Sequence, residues 1–284
     1  RREEEERKRA QKNERRKDVL KTPDIPISTY QKRLKDVKSD FPEDDLKTMY
    51  RDMQLIREFE NMVQGVRTVK EYNGVSYSYT GPAHLSQGQE PSAVGQAYAL
   101  ELEDYTFGTH RSHGEVLARA LSAIHRLDEK TLLSIMEEFR GGAMLSNVEK
   151  FSDDVKDVRD LATNFFLYGF MTELFGREIG FTGGLGNSMH VFFTPFGIYP
   201  NNAIVGGSAG IGVGAALYKR LSDENGIVVV NSGDGSVSTG PAWEAMHFST
   251  MDQLTKLWDE KYSGGLSVIF NFMNNCYAMS GQTI

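Results

Sequence analysis

Polar side chains follow two apolar runs in the second half of the chain, and both runs have the composition of buried strands. Gly233-Asp234-Gly235 comes shortly after residues 227–230, and Asn274-Asn275 comes shortly after residues 266–270. Parallel strands bring their carboxyl ends to one edge of a sheet, where open α/β sheets bind ligands. Carboxylate and amide oxygens suit a hard cation such as Mg²⁺, which takes its other ligands from phosphate oxygens and water. The two segments together predict a metal-bridged diphosphate, whereas a Gly-Asp-Gly turn alone is a weak indicator.

The two apolar runs also indicate how the domain is built. They are short, rich in β-branched or apolar residues and separated by helix-length segments, as in a parallel sheet. Residues 203–218 carry no charge, but these 16 residues are fewer than the roughly 20 that a membrane span needs. We interpret this glycine-rich stretch as a packed interior helix. The predicted fold class is α/β, with a central, mostly parallel sheet and helices on both of its faces.

The first half of the chain is predicted to be mainly helical. Apolar residues recur with helical period from Asp44 to about Lys70, and residues 90–102 have the pattern of a second helix. Further helical patterns lie between residues 118 and 175, and Gly141-Gly142 interrupts them. The globular part of the chain is expected to begin with the first of these helices.

A charged extension precedes the predicted globular part. Residues 1–21 hold ten basic and six acidic side chains, with pairs such as Glu3/Arg7 at the i, i+4 spacing of a solvated helix. Pro23, Pro26 and Pro42 then indicate an extended linker. We predict a helical, Pro-containing extension over residues 1–43 and an α/β domain over residues 44–284.

Composition narrows the classes of function. The net charge of −7 and the lack of a basic stripe argue against a nucleic-acid partner, and no apolar stretch is long enough to predict a membrane span. The single cysteine, Cys276, excludes an intrachain disulfide and fits a reducing compartment. The sequence shows no signal-peptide pattern, so the expected location is the cytoplasm. A small molecule is the expected ligand.

Five ordered segments resemble one family of enzymes. Gly233-Asp234-Gly235 together with Asn274-Asn275 resembles the fingerprint for thiamine diphosphate. Four other segments resemble the α chain of two-chain 2-oxo acid dehydrogenases: HLSQGQE at 84–90, THRSHG at 109–114, GGLGNSMH at 183–190 and AIVG at 203–206. The resemblance extends over roughly residues 46–284. It implies the thiamine diphosphate-binding fold, with thiamine diphosphate and Mg²⁺ as cofactors.

The resemblance implies a role for each residue near the two predicted strand ends. Asp234, the side chain of Asn275 and the carbonyl of Tyr277 are expected to hold Mg²⁺. Gly235 and Ser236 are expected to offer backbone donors to the diphosphate. This part of the site is therefore expected to bind the charged end of the cofactor.

The resemblance also assigns residues to the rest of the cofactor. Arg111 is expected to pair with the diphosphate, for which a guanidinium fork is well suited, and the preceding His110 adds a second donor. Family chains often have Tyr at the position of His110, and the histidine is similar to acetoin-type relatives. Ala203 and Val205 match positions that form an apolar wall beside the aminopyrimidine.

Two histidines are expected to take part in catalysis. His84 resembles a family histidine that donates a hydrogen bond to the substrate's carboxylate or carbonyl, and His113 is the second candidate. For both, the alternative interpretation is a structural loop histidine. His190 either contributes to the site or only orients a loop.

The resemblance implies partners as well. The glutamate that activates the aminopyrimidine belongs to an E1 β subunit, or to a β region fused to the chain, and a lipoyl-bearing E2 acyltransferase accepts the product. Residues 44–284 are accordingly expected to form a domain that is incomplete at its C-terminal end and inactive alone. The implied function is the α component of a 2-oxo acid dehydrogenase E1 enzyme.

The pattern departs from the family in two spacings, and three alternative functions stay open. Gly235 and Asn274 are separated by 38 residues, which predicts an insertion around residues 255–265, and the segment between residues 114 and 175 is also long. The alternatives are an acetoin dehydrogenase α component, a transketolase-like enzyme half and a non-catalytic scaffold of the same fold.

Overall fold

The computed structural model describes residues 24, 28–278 and 281–282. The chain divides into two compact units, Arg1–Pro42 and Glu43–Ile284. The described part of the first unit contains the short helix α1 (Leu34–Val37), followed by a 3-10 turn (Lys38–Asp40). The helix predicted for residues 1–21 lies outside the described residues.

Helices dominate the first part of the second unit, as the apolar periodicity indicates. The described helices are α2 (Glu43–Thr68), α3 (Glu90–Ala99), α4 (His113–Arg126), α5 (Glu129–Glu138), α6 (Ala143–Glu149), α7 (Val158–Leu174), α8 (Gly207–Ser222), α9 (Gly240–Thr250) and α10 (Asp252–Thr255). The long helix predicted from Asp44 and the shorter one predicted from Glu90 are both confirmed. Within the described residues, no helix is both long and apolar enough to cross a membrane.

The helical layer packs around the apolar stripe of α2. Ile56, Phe59, Val63 and Val66 are spaced three or four residues apart and are all buried, because this spacing places them on one face of the helix. The ring of Phe59 stacks on Phe170 of α7 at a centroid distance of 5.2 Å. Helices α2, α4 and α7 therefore share one core.

A glycine pair ends the helical run between α5 and α6. Arg140, Gly141 and Gly142 have φ angles of 50°, 60° and 79°, which lie in the left-handed region that glycine adopts without steric cost. The interruption predicted at Gly141-Gly142 is confirmed.

A three-stranded parallel sheet lies at the centre of the second half. Its strands are β3 (Tyr105–Phe107), β4 (Val228–Gly233) and β5 (Val268–Met273), in the order β3-β4-β5. Two small antiparallel hairpins accompany it: β1 (Glu71–Tyr72) with β2 (Val75–Ser76), and β6 (Tyr277–Ala278) with β7 (Gly281–Gln282). The predicted α/β class with a parallel sheet is confirmed.

The strand boundaries differ from those predicted. β4 continues past Val230 to Gly233, and β5 begins two residues later than expected, at Val268. β4 is longer because Asn231 and Ser232, which resemble turn residues, pair with Asn271 and Phe272 of β5. Strand β3 was not predicted, because its three residues are too few to show a periodic pattern.

Helices cover both faces of the sheet. Gly212 of α8 lies against Val230, so α8 packs on the face that Val228 and Val230 share. Side chains alternate along a strand, so Asn231 points to the opposite face, where it exchanges two hydrogen bonds with Gln96 of α3. The site at the strand ends is thus held between α8 and α3.

We expect Gly212→Ala to destabilise the second unit by about 1–3 kcal/mol, since an added methyl group overlaps Val230 in a packed interior. Gly214 is the matched control, because the same helix leaves open space around it. Gly214→Ala should stabilise the helix by roughly 0.5–1 kcal/mol. Urea unfolding of both variants checks the pair, and equal effects of the two substitutions would contradict the packing of α8 on the sheet.

Candidate functional site

The carboxyl ends of β4 and β5 lie side by side, because the two strands are parallel and in register as far as Gly233 and Met273. Asp234 starts a 3-10 turn (Asp234–Ser238) directly after β4. Asn274 and Asn275 follow β5 and lead into β6, which packs against that turn. The structure therefore brings the predicted metal residues to one edge of the sheet.

Close packing between the turn and β6 favours glycine at position 235. A β carbon added to Gly235 would lie 3.0 Å from the β carbon of Ala278, closer than ordinary van der Waals contact. The next residue, Ser236, is buried. Glycine at this position permits the close backbone approach that a phosphate-binding turn requires.

The two asparagines fix the turn that follows β5. Asn274 Oδ1 accepts a hydrogen bond from the Cys276 amide at 2.9 Å, and Asn275 Oδ1 accepts one from the Tyr277 amide at 2.9 Å. Each amide oxygen has a second lone pair. Asn275 can therefore hold its turn and still offer an oxygen to a cation.

The atoms at this edge match a hard cation better than a transition metal. Asp234 has a carboxylate, Asn275 an amide oxygen and Tyr277 a main-chain carbonyl. Among the residues that the structure describes, no three His, Cys, Asp or Glu side chains are grouped to hold a metal ion. Mg²⁺ that is bound to a phosphate group usually has only a few oxygen ligands from the protein, and phosphate oxygens and water complete its coordination. The residues present therefore fit a Mg²⁺-diphosphate group.

The segment that contains Ala203 and Val205 lies between two other parts of the site. Asn202 forms a parallel bridge with Thr109, and its amide donates to the Gly108 carbonyl at 3.0 Å. At the other end, Gly206 has a φ of 78° and lies against Thr239, just after the Asp234–Ser238 turn. Val205 is exposed and Ala203 is half-buried. The segment with the predicted apolar wall thus lies next to both the loop of residues 109–114, which contains Arg111, and the turn that begins at Asp234.

His84, His110 and Arg111 form one cluster. The rings of His84 and His110 meet edge to face at a centroid distance of 4.8 Å. Arg111 Nη1 donates to the Leu85 carbonyl at 2.5 Å, which ties the loop of residues 84–90 to the loop of residues 109–114. Three of the predicted site residues, from two distant segments, are therefore in contact.

Burial and neighbouring cations lower the pKa of both histidines. For His84, burial is the main cause, followed by the charges of Arg111 and Arg67; for His110, burial is followed by His84 and Arg111. A lowered pKa favours the neutral ring, which has one N–H donor and one acceptor nitrogen. The pair is suited to hydrogen bonding with a polar ligand.

His113 is fully buried, and both of its ring nitrogens are engaged. Nδ1 lies 2.7 Å from Glu60 Oε1, and Nε2 lies 2.7 Å from Ser188 Oγ. Glu60 and Ser188 are also 0% exposed. The structure therefore places His113 behind the cluster of His84, His110 and Arg111, where it connects α2 to the loop of residues 183–190.

One buried carboxylate organises that loop. Glu173 of α7 accepts hydrogen bonds from the amides of four loop residues, at distances of 2.7 to 3.1 Å: Thr182, Gly184, Gly186 and Asn187. The Thr182 hydroxyl also donates to it. Glu173 is 0% exposed, so these donors replace water as its hydrogen-bonding partners. The loop that carries Ser188 and His190 is thus folded around an internal anion.

The buried carboxyl group of Glu115 lies close to the residues that precede the strand ends. Burial raises the pKa of Glu115 to about 8, while a hydrogen bond with Asn231 acts in the opposite direction. Glu115 Oε2 has no hydrogen-bond partner among the described residues. Asn231 Oδ1 also accepts from Asn271 Nδ2 at 2.7 Å. This polar group links α4 to β4 and β5 just before the candidate metal residues.

The raised pKa of Glu115 predicts a pH dependence of stability. The folded state holds this proton more tightly, so the contribution is complete below the unfolded pKa of 4.5 and is lost as pH rises through about 8. Relative to Glu115→Gln, the wild-type chain should lose stability between pH 5 and pH 8 in urea unfolding. The exposed Glu137→Gln is the control. Parallel curves for wild type and Glu115→Gln would contradict this assignment.

The buried glutamates Glu60, Glu115 and Glu173 were not predicted, although the sequence contained a signal for one of them. Glu60 lies four residues after Ile56 and three before Val63, within an otherwise apolar stripe. A charge at such a position is costly unless it is paired, so it indicates a partner elsewhere in the chain. The identity of that partner depends on tertiary contacts.

Comparison with known proteins agrees with this geometry. The sequence model of the family described as "Dehydrogenase E1 component" matches residues 51–151 and 156–284. The gap between the two matched parts falls in the loop between α6 and α7.

Individual relatives carry consistent names. The pyruvate dehydrogenase E1 component subunit alpha of Rhizobium meliloti is 29% identical over 237 residues, covering 84% of this chain and 50% of the relative. The mitochondrial pyruvate dehydrogenase E1 component subunit alpha of Chaetomium thermophilum is 28% identical, covering 82% of this chain and 41% of the relative. The pyruvate dehydrogenase E1 component subunit alpha of Zymomonas mobilis subsp. mobilis is also 28% identical, covering 86% of this chain and 55% of the relative. The chain thus spans about half the length of these relatives.

All three of these relatives are named as alpha subunits of a pyruvate dehydrogenase E1 component. The matched residues include both candidate strand ends, the histidine and arginine cluster and the loop around Glu173. The match covers well over half of the sequence, so the chain belongs to the dehydrogenase E1 component family.

Proposed function

We propose that this chain is the α part of the E1 component of a 2-oxo acid dehydrogenase complex. It binds thiamine diphosphate and Mg²⁺ for the oxidative decarboxylation of a 2-oxo acid, and the acyl product passes to lipoamide. The observation that carries the proposal is the meeting of Asp234 and Gly235 with Asn275 and Tyr277 at one edge of the sheet, in a chain of the E1 family.

The residues at this edge would hold the charged end of the cofactor. Asp234, the side chain of Asn275 and the carbonyl of Tyr277 bind Mg²⁺, which suits their oxygen chemistry. Gly235 and Ser236 donate backbone hydrogen bonds to the diphosphate. A glycine-containing turn that begins at a strand end is a common anion-binding arrangement.

The rest of the cofactor would be held by four other residues: His110, Arg111, Ala203 and Val205. Arg111 and His110 lie next to the 202–206 segment through the Thr109–Asn202 bridge, so one surface contains both cationic and apolar groups. When bound, thiamine diphosphate would supply a nucleophilic carbon for addition to the oxo group and would stabilise the electron pair that stays behind when CO₂ leaves.

His84 and His113 take different parts in this proposal. His84 is half-buried beside His110, and its lowered pKa leaves a neutral ring whose N–H donates to the substrate's carboxylate or carbonyl. His113 is enclosed by Glu60 and Ser188 and acts by holding the loops in place.

An exposed apolar surface supports a β subunit, or a fused β region, as partner. Helices α8 and α9 pack together and leave five large side chains between 38% and 59% exposed: Ile211, Tyr218, Leu221, Trp243 and Phe248. Large exposed apolar side chains on packed helices are a common feature of protein interfaces. The β partner supplies the glutamate that activates the aminopyrimidine, and a lipoyl-bearing E2 acyltransferase receives the product.

We place the complex in a reducing compartment, with the cytoplasm as the proposed location.

Calorimetric titration tests the proposal. Thiamine diphosphate is titrated into the full-length protein combined with its β partner, with and without Mg²⁺. Binding that requires Mg²⁺ supports the assignment, and an absence of binding in both conditions contradicts it. Turnover assays with pyruvate, branched-chain 2-oxo acids and acetoin then identify the substrate, and turnover of acetoin alone would move the assignment to an acetoin dehydrogenase.

A further inference from the structure

Glu60 contacts two of the loops that form the candidate site. Its Oε1 atom lies 2.7 Å from His113 Nδ1, and its Oε2 atom accepts a hydrogen bond from the Ser86 amide at 3.2 Å. Ser86 is two residues from His84, and His113 is two residues from Arg111. One carboxylate on α2 therefore reaches both segments that supply the histidine and arginine cluster.

Two further hydrogen bonds extend this group to a third loop. Ser86 Oγ accepts from the Gly114 amide at 2.9 Å, which joins the first two loops directly. His113 Nε2 lies 2.7 Å from Ser188 Oγ, in the loop that Glu173 organises. The segments around His84, Arg111 and His190 are thus connected to one another behind the site.

The donors in this group follow from the chemistry of the carboxylate. A carboxylate only accepts hydrogen bonds, so His113 Nδ1 carries the proton in its bond to Glu60. A neutral ring with Nδ1 protonated accepts at Nε2 from the Ser188 hydroxyl, whereas an imidazolium donates there. The four side chains are at most 3% exposed, which prevents direct contact with a ligand: Glu60, Ser86, His113 and Ser188.

Burial of a carboxylate at this position lowers the stability of the fold unless hydrogen bonds compensate for the loss of water. Glu60 lies in the stripe of Ile56, Phe59 and Val63, where an apolar residue would pack without a desolvation penalty. Both of its oxygens are hydrogen-bonded to residues far along the chain. This arrangement favours a specific geometry of the loops over maximal stability.

We propose that Glu60 is a positioning residue for the cofactor site and that it acts through His113 and Ser86. It holds the loops that carry His84, Arg111 and His190 in their relative positions. The inference rests on the proposed function, because these loops form the proposed cofactor and substrate site.

Three variants and one matched control test the inference in the full-length protein with its β partner. Glu60→Leu removes both contacts, Glu60→Gln keeps one acceptor oxygen for His113, and Ser86→Ala removes only the bond from Gly114. The control is Asp52→Asn. Asp52 and His125 form a similar pair between the same two helices, at 3.2 Å, but His125 is solvent-exposed.

Affinity for thiamine diphosphate with Mg²⁺ is the first readout. Removal of residues that support metal ligands typically lowers affinity about 10- to 100-fold. Glu60 supports the loops of His84 and Arg111 in a similarly indirect way, so we expect a loss of comparable size for Glu60→Leu. Glu60→Gln should recover part of the loss, and Asp52→Asn should match wild type. Wild-type affinity in Glu60→Leu, or an equal loss in Asp52→Asn, would overturn the inference.

A second readout does not depend on the cofactor. ¹⁵N NMR of the His113 ring should show a protonated Nδ1 in the wild-type protein, and this signal should shift in Glu60→Gln but not in Asp52→Asn. An unprotonated Nδ1 in the wild type would overturn the inference even if a variant fails to fold. If wild type binds no thiamine diphosphate but the NMR pattern holds, the proposed function fails and the buried network stands.

Discussion

Replacement of Asp234 by alanine is expected to lower the Mg²⁺-dependent affinity for thiamine diphosphate by at least about 100-fold. Loss of residues that only support metal ligands already costs about 10- to 100-fold, and Asp234 is the one carboxylate in the proposed ligand set. Neither Asn275 nor the Tyr277 carbonyl has a charge to replace it. Calorimetry on the full-length protein with its β partner measures the effect.

Glu244→Ala serves as the control for this prediction. Glu244 is exposed on α9, the helix that follows the Asp234–Ser238 turn, so its removal changes the net charge equally without touching the site. An equal loss of affinity in both variants would show that general electrostatics, not a metal ligand, governs binding. Undiminished affinity in Asp234→Ala would reject the proposed metal site.

Replacement of Glu173 by alanine is expected to lower the free energy of unfolding by on the order of 3 kcal/mol. The change leaves the amides of Thr182, Gly184, Gly186 and Asn187 without their acceptor, and one unsatisfied buried group already costs about 1–3 kcal/mol. The loss of stability is smaller than the sum for four such groups, because the loop can open in part and let water bind the free amides. Urea unfolding measures the effect, and hydrogen exchange at residues 182–187 locates it.

Two further variants separate the carboxylate's role from general changes in the chain. Glu173→Gln retains one acceptor oxygen and should lose less stability than Glu173→Ala. Glu178→Ala removes an exposed glutamate next to the same loop and should leave the unfolding midpoint unchanged. Slow exchange of the 182–187 amides in Glu173→Ala would mean that the loop does not depend on this anion.

The positions of the two strands along the chain, and the turn after β4, could be predicted from sequence because their signals are local. An apolar run followed by Gly233-Asp234-Gly235 indicates a strand and a turn within ten residues. The extension of β4 through Asn231 could not be predicted in this way, since the Asn231 side chain is satisfied by Gln96 and Asn271, from distant segments. A polar strand residue looks like a turn residue until those partners are known.

The contact between His113 and Glu60 could not be predicted from the sequence, because it also depends on distant segments. His113 and Glu60 are 53 residues apart, and only the packing of α4 on α2 brings them together. The motif around His113 indicated a functional position but did not distinguish contact with substrate from support of the loops. That distinction depends on burial, which the structure supplies.

The internal anion at Glu173 has a consequence for the kinetics of ligand binding. A loop that folds around its own carboxylate has its shape before any ligand arrives, so its conformational entropy is lost during folding and not during association. The Glu60 network acts in the same way on the two other loops. Preorganised loops of this kind predict an association rate limited by encounter and orientation, with no slow ordering step.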